Sequence, residues 1–267
     1  MSSIICRIAE TRKEIDDALR VRHQVFVQEL HNLDPVRNAV PREVDSFDLP
    51  ESTTHFVAYD GNTPIGVARM IRPNPEIAQA TGTYFGFDIE SKFDLTSLAH
   101  KNWRIAEMMR YCVLASARNR HVASVIHREA VRLCRQLGIT HWIGSATIET
   151  HVPAEAAQIA AIAASLGQVR QDAWITPRKT FCPVNENSSF LLGSTGCRLP
   201  PALPPNSKLP RTLAMYTRHL AARIIGPPIY DPRFRGYSIP ILMEVAEQRF
   251  ADRRPLNPET IHSPIAA

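Results

Sequence analysis

The stretch Asn102–Ser116, "NWRIAEMMRYCVLAS", is mostly apolar but is broken by Arg104, Glu107 and Arg110. Strand side chains alternate between two faces, so charges three residues apart cannot all lie on one face of a regular strand. The composition predicts a buried strand, and a bulge or kink within it reconciles the spacing.

The elements on either side give this strand its neighbours. Upstream, "THFVAYDGNTPIGVARMIRP" holds two strand-like runs joined at Asp60-Gly61-Asn62, a turn signature that predicts an antiparallel hairpin. Before it, "SIICRIAET" alternates as a first strand. "RKEIDDALRVRHQVFVQELH" then carries Ile15, Leu19, Val25, Phe26 and Leu30 at near-helical spacing. Downstream, "VASVIHREAVRLCRQLG" puts Val122, Val125, Ile126, Ala130, Leu133 and Leu137 on one helical stripe, with Gly138 as its stop, and "ITHWIGSATI" reads as the next strand. "VPAEAAQIAAIAASLG" reads as a helix opened by Pro153 and closed by Gly167. A Pro-, Ser-, Asn- and Gly-rich stretch over about 176–208 reads as a surface excursion or lid. "LPRTLAMYTRHLAARIIG" is expected as a helix and "YSIPILMEVA" as a last strand, with an irregular tail after about residue 250. This order predicts an α+β (mixed α/β) fold, a mixed sheet with helices on both faces. We expect one domain over 1–250 and a tail over 251–267.

A chain of 267 residues with 44% hydrophobic content can bury a core without staples. Its five cysteines are odd in number and form no C-x-x-C pair, which predicts reduced thiols in a cytoplasm and no zinc site. The N-terminus lacks a secretory pattern, and no run of 18 apolar residues occurs. The net charge of +5 suits a polyanion, a membrane surface or an acidic carrier protein. Aromatic residues are 7% of the chain and no basic patch is interleaved with them, which argues against nucleic acid. Nucleotide-loop, nucleophile-elbow and metalloprotease motifs are absent from the sequence, and the histidines are scattered.

What remains are charges inside apolar segments: Arg22 on the first helix, Arg69 in the hairpin, and Glu107 with Arg110 in the kinked strand. An unpaired buried charge costs several kcal/mol, so these residues need counter-charges or a polar ligand. "PREVDSFDLP" supplies Glu43, Asp45 and Asp48. Two readings stay open from the residues alone: a structural network of ion pairs, or a pocket for a polar substrate.

Taken in order, "RVRHQVFVQEL", "EVDSFD", "GVARMIRP" and "AEMMRYCV" resemble the autoinducer synthases and the related long-chain N-acyl amino acid synthases, which share the GCN5-related N-acetyltransferase fold. The matching positions are Arg22, Phe26, Glu43, Asp45, Phe47, Asp48, Arg69, Glu107 and Arg110. The later "LPRTLAMYTRHLAARIIGPPIYDPRFRGYSIPILMEV" is similar to the end of the ornithine-lipid type N-acyltransferases. The autoinducer synthases carry a Trp soon after the helix Phe, where this chain reads "HNLDPVRNAV", and they lack the Pro-rich excursion. The resemblance therefore implies transfer of a fatty acyl group to an amino acid or ornithine-like amine. Homoserine lactone formation from S-adenosylmethionine is the alternative activity, and a non-catalytic basic binding module is the alternative class.

The resembled fold implies an acyl thioester threaded between two splayed strands. Its donor is acyl-phosphopantetheine on an acyl carrier protein, or acyl-CoA, and no tightly bound cofactor is implied. "SARNRH" would set Arg118 or Arg120 against the donor's phosphate, and the lack of glycine there favours a carrier protein. Glu107 is expected as the base that takes a proton from the acceptor amine. Arg22, Arg69 and Arg110 would hold the acceptor's carboxylate or organise the acidic loop, with Asp45 and Asp48 fixing them. Backbone N–H groups near Cys112 or Val113 would meet the oxyanion. Cys112 itself reads as a structural cysteine rather than a nucleophile. A long-chain product adds peripheral contact with the inner membrane to the cytoplasmic location.

Overall fold

The computed structural model describes residues 4–35, 40–49, 51–181 and 208–246. The chain opens with strand β1 (Ile4–Ile8) and helix α1 (Arg12–His23). Thr11 and Glu14 form a reciprocal capping box at the start of α1, satisfying N–H groups that a helix end otherwise leaves open. The helical path continues through a π-helical segment, Gln24–Glu29, where the Leu30 N–H reaches back five residues to the Val25 carbonyl at 2.9 Å. The sequence spacing predicts one continuous helix here. The wider turn changes which side chains face inward, and it brings Phe26 and Glu29 into the wall of a cavity.

Strands β2 (Thr53–Asp60) and β3 (Thr63–Ile71) form the expected hairpin, closed by the Asp60–Thr63 pair with Gly61 at φ +59°. That backbone angle is one glycine adopts without steric cost. The decisive stretch becomes β4 (Ile105–Val113). Its partner β3 shifts register between Val67 and Arg69, and Arg110 adopts φ +53°. The expected kink therefore lies at Arg110, where the bulge turns the side chain out of strict alternation.

Helix α2 (Val122–Gln136) leads to strand β5 (His141–Thr147), and helix α3 (Pro153–Ser165) follows. Gly138 and Gly167 both have positive φ just past the helices they terminate. Helix α4 spans Arg211–His219 only. The expected helix over 209–226 is corrected in its second half: Ala221 turns to φ +50°, and Arg223–Ile224 forms strand β6 instead. The backbone of this segment is claimed on two sides. Ile224 N–H donates to Gln168 and its carbonyl accepts from Arg170, while Ile225 N–H donates to Pro240. Strands β7 (Ile229–Asp231) and β8 (Gly236–Glu244) complete the sheet.

Among the described residues the sheet has eight strands in the order β1-β2-β3-β4-β5-β8-β6, with β7 also on β8. Every pairing is antiparallel except β4 with β5. The mixed α/β character and the two helix-covered faces are as the sequence predicts. On one face Phe56, Ala58 and Met70 join a core with Ile126, Ala130 and Ala160, from α2 and α3. On the other, Val57, Tyr59, Val67 and Cys112 pack against Ala18, Val21 and Val25 of the first helical segment. A third core, including Phe87, Phe93, Leu98 and Ile105, is built largely from the 85–105 segment, which carries short helical turns between β3 and β4. The Pro-rich stretch lies outside the described residues from 182 to 207, as does the tail expected over 251–267.

Candidate active site

The acidic loop is shaped by its own side chains. The Asp48 carboxylate accepts from the Asp45 N–H at 2.9 Å, and the Asp45 carboxylate accepts from the Phe47 N–H at 2.9 Å. The Glu43 N–H donates to the Leu19 carbonyl, which ties the loop to α1. These bonds aim three carboxylates inward at the arginines the sequence singled out.

Arg22 donates to both oxygens of Asp48, at 2.7 and 3.1 Å, and to Glu43. Arg69 donates to Asp45 at 2.6 and 2.9 Å and to Asp48 at 2.6 Å. Arg110 donates to Glu43 at 3.2 Å and to Asp45 at 2.8 Å. Arg22 and Arg69 are completely buried. Burial alone would push the three carboxyl groups up. The facing guanidinium groups overcome it and hold Glu43, Asp45 and Asp48 below the ordinary carboxylate range. His55 beside Asp48 is also lowered, here by burial first and then by the Arg22 charge, which push it down to about 4.

A fourth arginine completes the cluster. Arg233, in the turn between β7 and β8, reaches Asp45 at 3.0 Å, Glu43 at 3.5 Å and Asp88 at 3.4 Å. Sequence reasoning missed it, because "YDPRFRG" has the composition of a solvated turn. It also missed Asp88, Lys92, Asp231 and Phe234. The available signal was the Asp231-Pro232 turn pair.

Strands β4 and β5 are paired only at Ile105–His141, Ala106–Trp142 and Glu107–Ile143, and then they part. Gly144 stands where they part. A Cβ there would lie 2.6 Å from the Met108 carbonyl oxygen, so this close approach requires glycine. The splay opens into a cavity of about 550 Å³. Its wall includes the apolar side chains of Met108, Trp142, Tyr216, Leu220 and Met243, which belong to or pack against the core shared with α2 and α3. It also includes Glu107, Asp88, Lys92, Arg110 and Asp231, with the Phe234 ring.

Glu107 is 2% exposed and accepts from the Asp88 N–H at 2.7 Å and the Ile89 N–H at 3.1 Å. Burial, followed by the neighbouring Asp88 charge, pushes its carboxyl group up. A buried carboxylate with raised proton affinity in a cavity wall is chemically suited to accept a proton. Of the buried arginines, Arg110 reaches the wall. Arg22 and Arg69 do not, and neither do Glu43, Asp45 and Asp48.

The structure does not bring the expected donor-side residues together in the cavity. Its β4 wall ends at Tyr111. Cys112 lies opposite Val67 and Val113 opposite Gly66 in the β3 ladder, and burial pushes the Cys112 thiol well up. Arg118 donates to Glu29 at 2.5 Å, and the same carboxylate accepts from the Ala115 N–H at 3.0 Å. Arg120 pairs with Asp60 at 2.6 Å. Both arginines thus stand in the loop before α2, each engaged with a carboxylate of this chain.

Comparison with known proteins matches residues 21–128 to the acetyltransferase (GNAT) domain family. The matched stretch is similar to that domain and holds the end of α1 with Arg22, the β2–β3 hairpin with Arg69 and β4 with Arg110. Two curated relatives are each named L-ornithine N(alpha)-acyltransferase. The one from Rhizobium meliloti (strain 1021) is 27% identical over 165 residues, covering 58% of this chain and 53% of its own. The one from Agrobacterium fabrum is 30% identical over 130 residues, covering 45% and 42%. The chain therefore spans about half the length of the curated relatives it matches. Among solved structures, FeeM, an N-acyl amino acid synthase from uncultured soil microbes, superposes with a TM-score of 0.51 at 11% identity, covering 93% of this chain and 94% of that one. This likeness of fold extends beyond residue 128. No described helix is long and apolar enough to cross a membrane.

Proposed function

We propose that the protein is an N-acyltransferase that moves a fatty acyl group from a thioester to the amine of an amino acid or ornithine-like acceptor. The observation that carries this reading is the cavity at the β4–β5 splay, whose wall combines apolar and charged side chains. The apolar ones suit an acyl chain and the charged ones an amine, with Glu107 in the wall held by two backbone N–H donors. The relatives' name supports the same reaction class.

In this reading the acyl chain lies against the apolar side chains of the wall and the thioester carbonyl sits at the splay. Glu107 takes one proton from the acceptor's ammonium, which frees the lone pair for attack on the carbonyl carbon. The new C–N bond forms and the C–S bond breaks. The amine's second departing proton goes to the leaving thiolate, so the products are an amide and a free thiol. The edge of β4 that β5 leaves unpaired supplies the backbone N–H groups available to the oxyanion, in place of those expected at Cys112 and Val113. The Arg22, Arg69, Glu43, Asp45 and Asp48 network stands behind the wall and positions Arg110.

The donor is the acyl-phosphopantetheine of a carrier protein, or acyl-CoA. Arg118 and Arg120 are its phosphate contacts in this reading, and a phosphate reaching Arg118 displaces Glu29. A long-chain product would also bring the protein to a membrane surface. Mass spectrometry of lipid extracts from cells expressing the chain tests the reading. A new N-acyl amino acid supports it, whereas an acyl homoserine lactone, or no new acylated product, overturns it.

A further inference from the structure

We propose that Lys92 binds the carboxylate of the acceptor, so that the acceptor class is an α-amino acid held between Lys92 and Glu107. This deepens the acyltransferase reading and rests on it. Lys92 is 7% exposed and lines the cavity. Its ammonium carries three donors, of which the described contacts use one, to the Asp231 carboxylate. Its other neighbour is the Phe234 ring, 6.0 Å away, which stabilises the charge without accepting a conventional hydrogen bond. A buried ammonium with two unused donors facing a cavity is a site for an anion.

The other groups facing this ammonium define what that anion is attached to. Arg110, in the same wall, lies over the same ring at 5.0 Å and also carries a positive charge. Its Nε and Nη2 donate to Glu43 and Asp45, and no hydrogen bond among the described residues uses its Nη1, so it can share an anion held by Lys92. Asp231 is engaged twice, by Lys92 and by the Arg233 N–H at 3.0 Å. Of Glu107, Asp88 and Asp231 in this wall, Asp88 pairs with Arg233 and Asp231 with Lys92, whereas Glu107 is held by backbone N–H groups and has no ion-pair partner among the described residues, so it is the group that meets the amine.

Lys92 and Glu107 are set relative to each other by one short turn, Asp88–Ser91. Its Asp88 and Ile89 N–H groups hold Glu107, and its Ile89 carbonyl accepts from the Lys92 N–H at 3.0 Å. An α-amino acid presents its amine and carboxylate two bonds apart on one carbon. A base and an ammonium fixed by one turn match that pattern, whereas a simple amine would leave the Lys92 donors unfilled.

The test compares L-ornithine with L-ornithinamide, which lacks the carboxylate, as acceptors for the wild-type protein. Acyl-CoA is the donor, thiol release is the readout and the product is identified by mass. The variants are Lys92→Arg, and Lys92→Met combined with Asp231→Asn so that no carboxylate is left buried without its partner. Wild type is expected to favour the free acid in kcat/KM by about 10- to 100-fold, the worth of one hydrogen bond to a charged group. Lys92→Arg is expected to keep most of that ratio, and the double variant to bring it to about 1. Equal use of the two acceptors by wild type, or a double variant with an unchanged ratio, overturns the assignment while leaving the acyltransferase reading intact. Failure of wild type to acylate either acceptor overturns both.

Discussion

Replacing Arg69 by Met is expected to expose the energetics of the network most clearly. Arg69 is completely buried and donates three hydrogen bonds to Asp45 and Asp48, whose side chains are 10% and 7% exposed. Removing one partner of a buried ion pair costs about 3–5 kcal/mol, because the other charge remains buried without its partner. Here Asp48 keeps Arg22, and Asp45 keeps Arg110 and Arg233, so the cost falls at the lower end. A loss of about 3 kcal/mol is roughly a hundredfold in the folding equilibrium. Urea unfolding followed by circular dichroism would read it as a lower midpoint with an unchanged slope. The sign of the pH dependence is fixed too. The Asp45 carboxyl is held down in the folded protein, so its contribution is full above the unfolded value of about 3.9 and fades as pH falls below it. The gap between wild type and variant should therefore narrow toward about pH 3, and adding Asp45→Asn to the variant should recover part of the loss. A variant within about 0.5 kcal/mol of wild type at neutral pH, or a gap that does not change with pH, would refute the reasoning.

Three further outcomes follow from the same geometry. Glu107→Gln should fold normally and lose about 10²- to 10⁴-fold in kcat, together with the acid limb of the pH–rate profile, and full turnover would remove Glu107 from the base role. Gly144→Val, which drives atoms into the Met108 carbonyl, should cost about 1–3 kcal/mol in denaturant unfolding and abolish transfer; a stable, active variant would mean that the strands need not approach so closely. His55 is held near 4 against an ordinary value of about 6.5, so it destabilises the fold progressively as pH falls from 6.5 toward 4. His55→Gln should flatten the stability curve across that window, and an unchanged slope would place the titration elsewhere.

The arginine–carboxylate cluster was legible because charges in apolar segments demand partners, and "PREVDSFDLP" offered them. The kink was legible from the three-residue spacing of Arg104, Glu107 and Arg110, which no regular strand accommodates. Arg233, Lys92 and Asp231 were not legible. Each sits in or at the edge of a turn whose local composition matches a solvated loop, Asp231 as the last residue of β7, and only the tertiary fold brings residues 92 and 231 together. The helix expected through Gly226 failed for a related reason: a short apolar run such as Ala221–Ile225 satisfies a helical stripe and a buried strand equally well. The π-helical segment after His23 leaves no mark on the spacing, so the entry of Glu29 and Phe26 into the cavity wall could not be read in advance.

The central claim is that the cavity at the β4–β5 splay joins an acyl thioester to an amine. The most direct measurement incubates the purified protein with L-ornithine and either acyl-CoA or an acylated carrier protein, following free thiol and acylated product together. The account predicts thiol and N-acyl product in equal amounts from at least one donor, and loss of both with Glu107→Gln. Thiol release without an acylated amine, or no release from either donor, would contradict it.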